Sequence, residues 1–404
     1  MVNTVPELVR AAQAAEGQGR QEETLSLWAQ VLAADPVHSV ALLTLGDAAR
    51  RAGRTEEAQR LLSRAVAAAP GLVPARCALA NLLLHRGEPA AAAAHLAVAA
   101  ERGADIPYVW RDIGLLRRVT GDPAGALAAF ERCLELSPGD GAAGLGRSLA
   151  LLRLGRWREG FAAYHHRWSV SARPPRHQRI PAWRGGDPTG QRILVWDEQG
   201  AGDTIMCVRL TRRLMAAGAQ VVLEVPAALV PLFADGRHGT VIARGDEPPP
   251  VDAQVPLLDL PGLLGLEPAA IPWDGAYVEA PADHAAAWGG RLARRNGRPR
   301  IGFSWAGNPA HPGDFWRTPG LAALLPLLER TGADWYALQV ASGREQLDAA
   351  PLPDTVTDLG RAITGWADTA AILPHLDLLI TPDSALAHLA GAMGRPVWTL
   401  IATD

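Results

Sequence analysis

The chain has 404 residues, 48% of them apolar, and a formal net charge of -3 at pH 7, enough for two or three domains with sizeable cores and no basic excess to argue for nucleic acid or an anionic membrane surface. All 39 basic residues are Arg, so chemistry that needs a lysine is excluded. Cys77, Cys133 and Cys207 are far apart and lack CxxC spacing, which fits a reducing cytoplasm better than a disulfide framework or a zinc site.

The N-terminus carries Glu7 and Arg10 and no apolar run of signal length, and no stretch reaches the roughly 18 uninterrupted apolar residues of a membrane span. A soluble, cytoplasmic protein without a transmembrane segment is expected. The first predicted elements repeat. Glycines recur at Gly19, Gly53, Gly87, Gly121 and Gly155, each 34 residues after the last. Pro36, Pro70 and Pro138 keep the same interval, with Ala104 in the missing place, and Ala58, Ala92 and Ala126 stand in register between them. This is the period of tetratricopeptide helical hairpins. The Gly lets the chain turn between two antiparallel helices, the Pro stops the second helix, and the small residues allow close approach. Such hairpins bury their apolar faces by stacking, so a curved solenoid is predicted to about residue 168, with 138–168 an atypical last hairpin. A solenoid implies a bound macromolecule, usually a protein, and says nothing about chemistry.

The run Ser171-Ala-Arg-Pro-Pro-Arg-His177 breaks the helical pattern with two prolines. Beyond it, strand-length apolar runs at 193–196, 221–225 and 241–243 alternate with helical stretches such as 204–217. A second series places strands at 301–305, 335–340, 355–359, 376–381 and 396–401, with helices at 321–330, 366–373 and 384–393. Between the two series lies a Pro-rich stretch, 247–281, followed by a polar helix to Asn296. The alternation predicts parallel sheets flanked by helices. The expected fold is therefore α plus α/β: a solenoid over 1–170, then two Rossmann-like halves over 171–282 and 283–404. Ligands are expected at the carboxyl ends of the strands and in the cleft between the halves.

Three motifs have the residue types that chemistry requires. Trp196-Asp-Glu-Gln-Gly-Ala-Gly-Asp-Thr-Ile205 runs from a buried strand into a turn with Gly200 and Gly202, and Asp203 opens the next helix. Glycines there let a ligand approach the backbone at a helix N-terminus, but a third Gly at dinucleotide spacing is missing. Asp203 is either a cap that satisfies free helix N–H groups or, at the mouth of a cleft, a carboxylate that takes a proton from an attacking hydroxyl. Ser304-Trp-Ala-Gly-Asn308 ends a strand and leads into a loop with His311 and Arg317. Thr381-Pro-Asp-Ser-Ala-Leu-Ala-His388 ends another strand and starts a helix capped by Asp383 or Ser384, whose free N–H groups suit a phosphate. His388 is one turn further on and either points to the same spot or packs the helix on the sheet. Arg317 is a surface charge or a fork suited to a diphosphate.

Glu198-Gln-Gly-Ala-Gly-Asp-Thr-Ile205, preceded by Pro181-Ala-Trp183 and Gly190, resembles the opening of glycosyltransferase-like domains that follow tetratricopeptide repeats in bacteria. Trp305-Ala-Gly-Asn-Pro-Ala-His311, Trp366-Ala-Asp-Thr-Ala-Ala371 and Asp383-Ser-Ala-Leu-Ala-His-Leu-Ala-Gly391 are similar to the remainder of that domain. These domains are related to the heptosyltransferases that build lipopolysaccharide core, enzymes of the GT-B fold. The resemblance implies an inverting, metal-independent transfer of a hexosyl or heptosyl group from a nucleotide sugar, with no other cofactor. It implies that Asp203 is the general base, with Glu198, Gln199, Gly200 and Gly202 forming the acceptor-side loop. On the donor side it implies Asn308, Arg317, Asp383, Ser384, Ala385 and His388, with Arg317 where the family often has Lys. Leaving-group charge would fall to Arg317 and helix N–H groups, consistent with the lack of an Asp-x-Asp metal motif in the sequence. Two departures are visible. The loop Pro312-Gly-Asp-Phe-Trp-Arg-Thr-Pro319 lacks the family's Arg-Ser-Ile-Pro, and the family's Trp-containing loop and terminal helices do not follow strand 396–401, so the second half is expected to be shortened.

Three functions compete on this reading. The first is a glycosyltransferase whose repeats recruit the acceptor, a protein being one option. The second is a non-catalytic adaptor with a degenerate transferase domain. A nicotinamide-dependent dehydrogenase is disfavoured because neither half carries Gly-x-Gly-x-x-Gly between strand and helix.

Overall fold

The computed structural model describes residues 4–171, 174–271, 273–292, 297–309, 314–330, 332–349 and 352–401. The chain divides into two compact units, one up to Pro174 and one over Pro175–Thr403. In the first, helices run as consecutive pairs: α1 (Val5–Gly17) with α2 (Gln21–Ala34), α3 (Ser39–Arg51) with α4 (Thr55–Ala68), and α5 (Val73–His85) with α6 (Pro89–Arg102). Then follow α7 (Pro107–Val119) with α8 (Pro123–Leu136), and α9 (Gly141–Arg153) with the shorter α10 (Trp157–Ala163). All five grid glycines adopt the left-handed region, φ +70 to +77°. The residue after each then donates five residues back into the preceding helix, from Arg20 to Ala15 (3.0 Å) through to Arg156 to Leu151 (3.0 Å). This is the Schellman closure that only a residue free of Cβ strain allows cheaply. Ala58, Ala92 and Ala126 are fully buried, so close helix approach is what fixes their size.

The second unit holds two parallel sheets. Strands β1 (Arg192–Trp196), β2 (Gln220–Val225), β3 (Thr240–Ala243) and β4 (Ala253–Pro256) take the order β3-β2-β1-β4. Strands β5 (Arg300–Phe303), β6 (Asp334–Ala337), β7 (Val356–Asp358), β8 (Leu378–Pro382) and β9 (Val397–Leu400) take the order β7-β6-β5-β8-β9. The central strand β1 pairs Ile193 with Val221 on one side and Ala253 on the other. In the second sheet β5 sets Phe303 between Ala337 and Ile380. Both central strands read as unbroken apolar runs because helices cover both faces of such sheets.

Three expectations need correction. Strand β4 lies inside the stretch read as Pro-rich connection; four residues flanked by proline carry too little periodicity to be recognised alone. The helix expected over 204–217 is split into Ala201–Cys207, a 3₁₀ turn Val208–Leu210 and Thr211–Ala216, and the one over 321–330 likewise begins as a 3₁₀ turn, Leu321–Ala323, before Leu325–Arg330. The polar helix is Ala282–Gly289, and residues 293–296 lie outside the described ones.

The two halves of this unit are joined by specific contacts. The backbone N–H groups of Tyr277 and Val278, in the crossover, donate to the carbonyl of Ala392 at 2.9 and 3.3 Å. Within the second half, Asp368 joins two helices, accepting from Trp288 Nε1 (2.9 Å), Thr364 N (2.8 Å) and Thr364 Oγ1 (2.7 Å), with His284 Nδ1 at 2.8 Å. Burial alone would raise its carboxyl, but this set of donors holds it well below the usual carboxylate range.

Candidate functional site

The helix Ala201–Cys207 begins where β1 ends, and the helix Ala385–Ala392 begins where β8 ends. These two N-termini meet. A Cβ built at Gly202 would lie 2.8 Å from His388 Cδ2 and 3.3 Å from Ala385 Cα, so the second glycine of the turn is fixed by helix-to-helix approach. Its place in the sequence pointed to a ligand; its neighbours show a packing reason as well.

Asp203 is half-buried at this junction, but it is not the N-cap. Gly200 is, and Asp203 is the third helical residue, reaching back to accept the Gly200 N–H at 3.0 Å. Half of a capping box results, since glycine has no side chain to return the bond. Glu198, half-buried, and Gln199, exposed, occupy the loop just before Gly200. Nearby Cys207 is no nucleophile: burial, with the carboxylates of Asp203 and Glu198, pushes its thiol up to about 12.

On the other side, Asp383 stands between two cationic or ionisable groups, with Arg317 Nη1 3.9 Å from Oδ2 and His388 Nε2 4.0 Å from Oδ1. The structure thus brings Arg317, Asp383 and His388 together, and through Gly202 sets them beside the turn that carries Asp203. Ser384 holds the N-cap position of its helix, but its side chain does not cap. Its Oγ is 3.2 Å from Thr381 Oγ1, which is 2.7 Å from Ser304 Oγ, a line of hydroxyls across the ends of β5 and β8. The expected side-chain cap is therefore replaced by this lateral contact. Among the described residues, the N–H groups of Ala385 and Leu386 make no backbone hydrogen bond outside the helix, and that is the arrangement in which a helix N-terminus receives an anion. Asn308 is exposed in the loop after β5. That loop is pinned where Gly307 N–H donates to Thr318 Oγ1 at 3.2 Å. His311 lies outside the described residues.

Two groups of residues at the strand ends were not singled out from the sequence. Asp197 and Glu224, at the ends of β1 and β2, are almost wholly buried. Arg244 pairs with Asp197, its Nε at 3.1 Å, and Arg176 Nη2 reaches both carboxylates, at 3.2 Å from Asp197 and 2.8 Å from Glu224. Arg176 also covers the Trp196 ring, 4.9 Å from its centroid. His177 completes the set: its Nε2 is 2.7 Å from Glu224 Oε2, though not in hydrogen-bond alignment, and its φ is +55°. The cluster holds the segment after Pro175 and the turn after β1 against the carboxyl ends of the two interior strands. The only sequence signal was an acid in each of two otherwise apolar strands. In the second half, the buried Gln339 accepts from Trp305 N and Ala306 N (both 3.1 Å) and donates to Ser342 O (2.8 Å), fixing the loop that leaves β5.

Known proteins resemble the chain in separate parts. Tetratricopeptide repeat models match residues 15–73, 49–112 and 111–165, and the glycosyltransferase family 9 (heptosyltransferase) model matches residues 359–403. The chain thus carries N-terminal tetratricopeptide repeats and a C-terminal segment similar to the glycosyltransferase family 9 model. The family 9 segment contains Asp383, Ser384, Ala385 and His388. Among individual proteins, it is similar to Protein FlbA of Caulobacter vibrioides, 25% identical over 388 residues, which is 88% of this chain. This chain spans 64% of the length of that relative. Among solved structures, a crystal structure of MamA protein is 20% identical, with 42% of this chain and 98% of MamA covered at a TM-score of 0.34. A thermophilic tetratricopeptide protein of Thermus thermophilus is also 20% identical, with 42% and 92% covered and a TM-score of 0.36. No described helix is long and apolar enough to cross a membrane.

Proposed function

We propose that this chain is an inverting glycosyltransferase of GT-B type that moves a sugar from a nucleotide sugar to an acceptor recruited by the repeats, without a metal. The observation that carries this reading is the apposition of the helix N-termini at Gly202 and Ala385, with Asp203 on one and Asp383, Ser384 and His388 on the other. The donor diphosphate takes the N–H groups of Ala385 and Leu386 and the guanidinium of Arg317, which hold the charge that develops as the nucleotide leaves. Asn308 borders the same site. Asp203 takes the proton of the acceptor hydroxyl as that oxygen attacks the anomeric carbon from the face opposite the leaving group. Glu198, Gln199 and the backbone at Gly200 border the acceptor.

The test is a nucleoside diphosphate titration followed by a transfer assay over a panel of nucleotide sugars. A bound nucleotide raises the thermal midpoint, by an amount set by mass action of about 2.7 kcal/mol at a hundredfold excess over Kd. Arg317→Ala and His388→Ala each reduce that shift while leaving the unliganded midpoint in place. No shift with any nucleotide at millimolar concentration would make a non-catalytic adaptor the better reading.

A further inference from the structure

Away from the meeting point of the two helix N-termini, the same first-half helical run builds a second, differently charged recess. Arg209, Arg212 and Arg213 lie in the 3₁₀ turn Val208–Leu210 and the helix Thr211–Ala216, and their spacing of three and four residues places them on one helical face. With Ala216 and Asp274 they line a cleft of about 190 Å³, on the order of ten water positions. Three arginines and one acid are among its lining residues. Arg212 and Arg213 are exposed and in no ion pair among the described residues. Arg209 is half-buried, its guanidinium 5.8 Å from the centroid of the buried Tyr277 ring. That contact orients one fork before any ligand arrives and reduces the side-chain entropy lost on binding.

We propose that this cleft is a second anion site, distinct from the donor site, that takes a phosphate or diphosphate group. Arginine suits that ligand because its planar fork donates two parallel bonds to adjacent phosphate oxygens. A carboxylate ligand would meet the same forks, but a single one leaves more of the positive excess uncompensated than a diphosphate does. Asp274 sets the orientation by repelling the ligand toward the arginines. No residue is shared with the donor site. The two are nevertheless connected, because Tyr277 N–H donates to Ala392 O, the last residue of the helix that starts at Ala385.

The experiment titrates pyrophosphate into the full chain carrying Arg317→Ala, which weakens the donor site so that its occupancy is not counted. Saturable binding is expected, at least about tenfold weaker when Arg212→Ala and Arg213→Ala are added, since losing charge-assisted bonds worth about 1.4 kcal/mol or more is a decade in Kd. Both arginines are exposed, so the added substitutions should leave the unliganded thermal midpoint unchanged. A second arm floats the chain with phosphatidylglycerol or phosphatidylcholine vesicles. Flotation with the anionic lipid alone, competed by pyrophosphate and lost in the double variant, assigns the phosphate to a lipid headgroup; pyrophosphate binding without flotation assigns it to a soluble ligand. No saturable binding, or binding indifferent to Arg212 and Arg213, overturns the site.

Discussion

At the scale of single residues, Asp203 and Gly202 separate packing from chemistry. Asp203 accepts one backbone N–H at a helix N-terminus, and the amide oxygen of Asn accepts the same bond. Asp203→Asn should therefore change stability by less than about 1 kcal/mol. Asn cannot take a proton, so transfer should fall by roughly 100-fold or more, with nucleoside diphosphate binding retained on the other half. Unfolding curves, nucleotide titration and turnover on this one variant test all three; retained transfer would move the base to Glu198. Gly202 predicts a different pattern. A side chain there meets Ala385 backbone at 3.3 Å, and backbone does not yield as a flexible side chain would. Gly202→Val should part the two helix N-termini, costing roughly 1–3 kcal/mol and weakening nucleotide binding and transfer together. An unaltered nucleotide Kd in that variant would separate the two halves functionally.

At the scale of elements, α7 carries a buried acid with a predictable pH signature. Asp112 is 5% exposed, accepts from Asn81 Nδ2 at 3.1 Å and has Arg111 at 3.9 Å. Burial outweighs these partners and pushes its carboxyl up to about 6. A carboxyl whose folded value exceeds its unfolded one binds protons more tightly in the native state, so lowering the pH from 7 to 4 stabilises the fold at this site. The charged form costs on the order of 3 kcal/mol at pH 7, relieved as the group protonates. Asp112→Asn should raise stability at pH 7 and flatten the stability profile between pH 4 and 7, measured by urea unfolding of residues 1–174. A variant profile as steep as that of the parent would show that another group titrates. The periodic elements of this unit were legible in advance because the turn chemistry repeats: each grid glycine takes the positive φ that the interval implied. Strand β4 was not, because its pairing with β1 comes from long-range contact rather than from its own four residues.

At the scale of the whole molecule, the split after Pro174 makes a simple prediction. Residues 1–174 expressed alone should fold and give a strongly helical circular dichroism spectrum, since each hairpin is stabilised chiefly by its neighbours. A β-rich or disordered spectrum would remove the repeat reading. The second unit should not divide as cleanly between its two sheets, because the Ala392 carbonyl binds the crossover and the two helix N-termini share one contact at Gly202.

The sequence by itself determined the solenoid, its 34-residue register, the two parallel sheets and the strand-to-helix turns after β1 and β8. Those follow from local rules: a glycine that must turn, a proline that must stop a helix, an apolar run long enough to cross a buried sheet. Only the tertiary structure decided that Asp203 is a third helical residue rather than a cap, and that the Ser384 hydroxyl turns to Thr381 instead of its own helix. It alone placed Asp197 and Glu224 in one buried cluster with Arg176 and Arg244. The first two are choices between partners a few residues apart, and the cluster joins side chains 21 and 47 residues apart; in each case a side chain chooses among partners that chain order does not name, and the packing around it decides which bond wins.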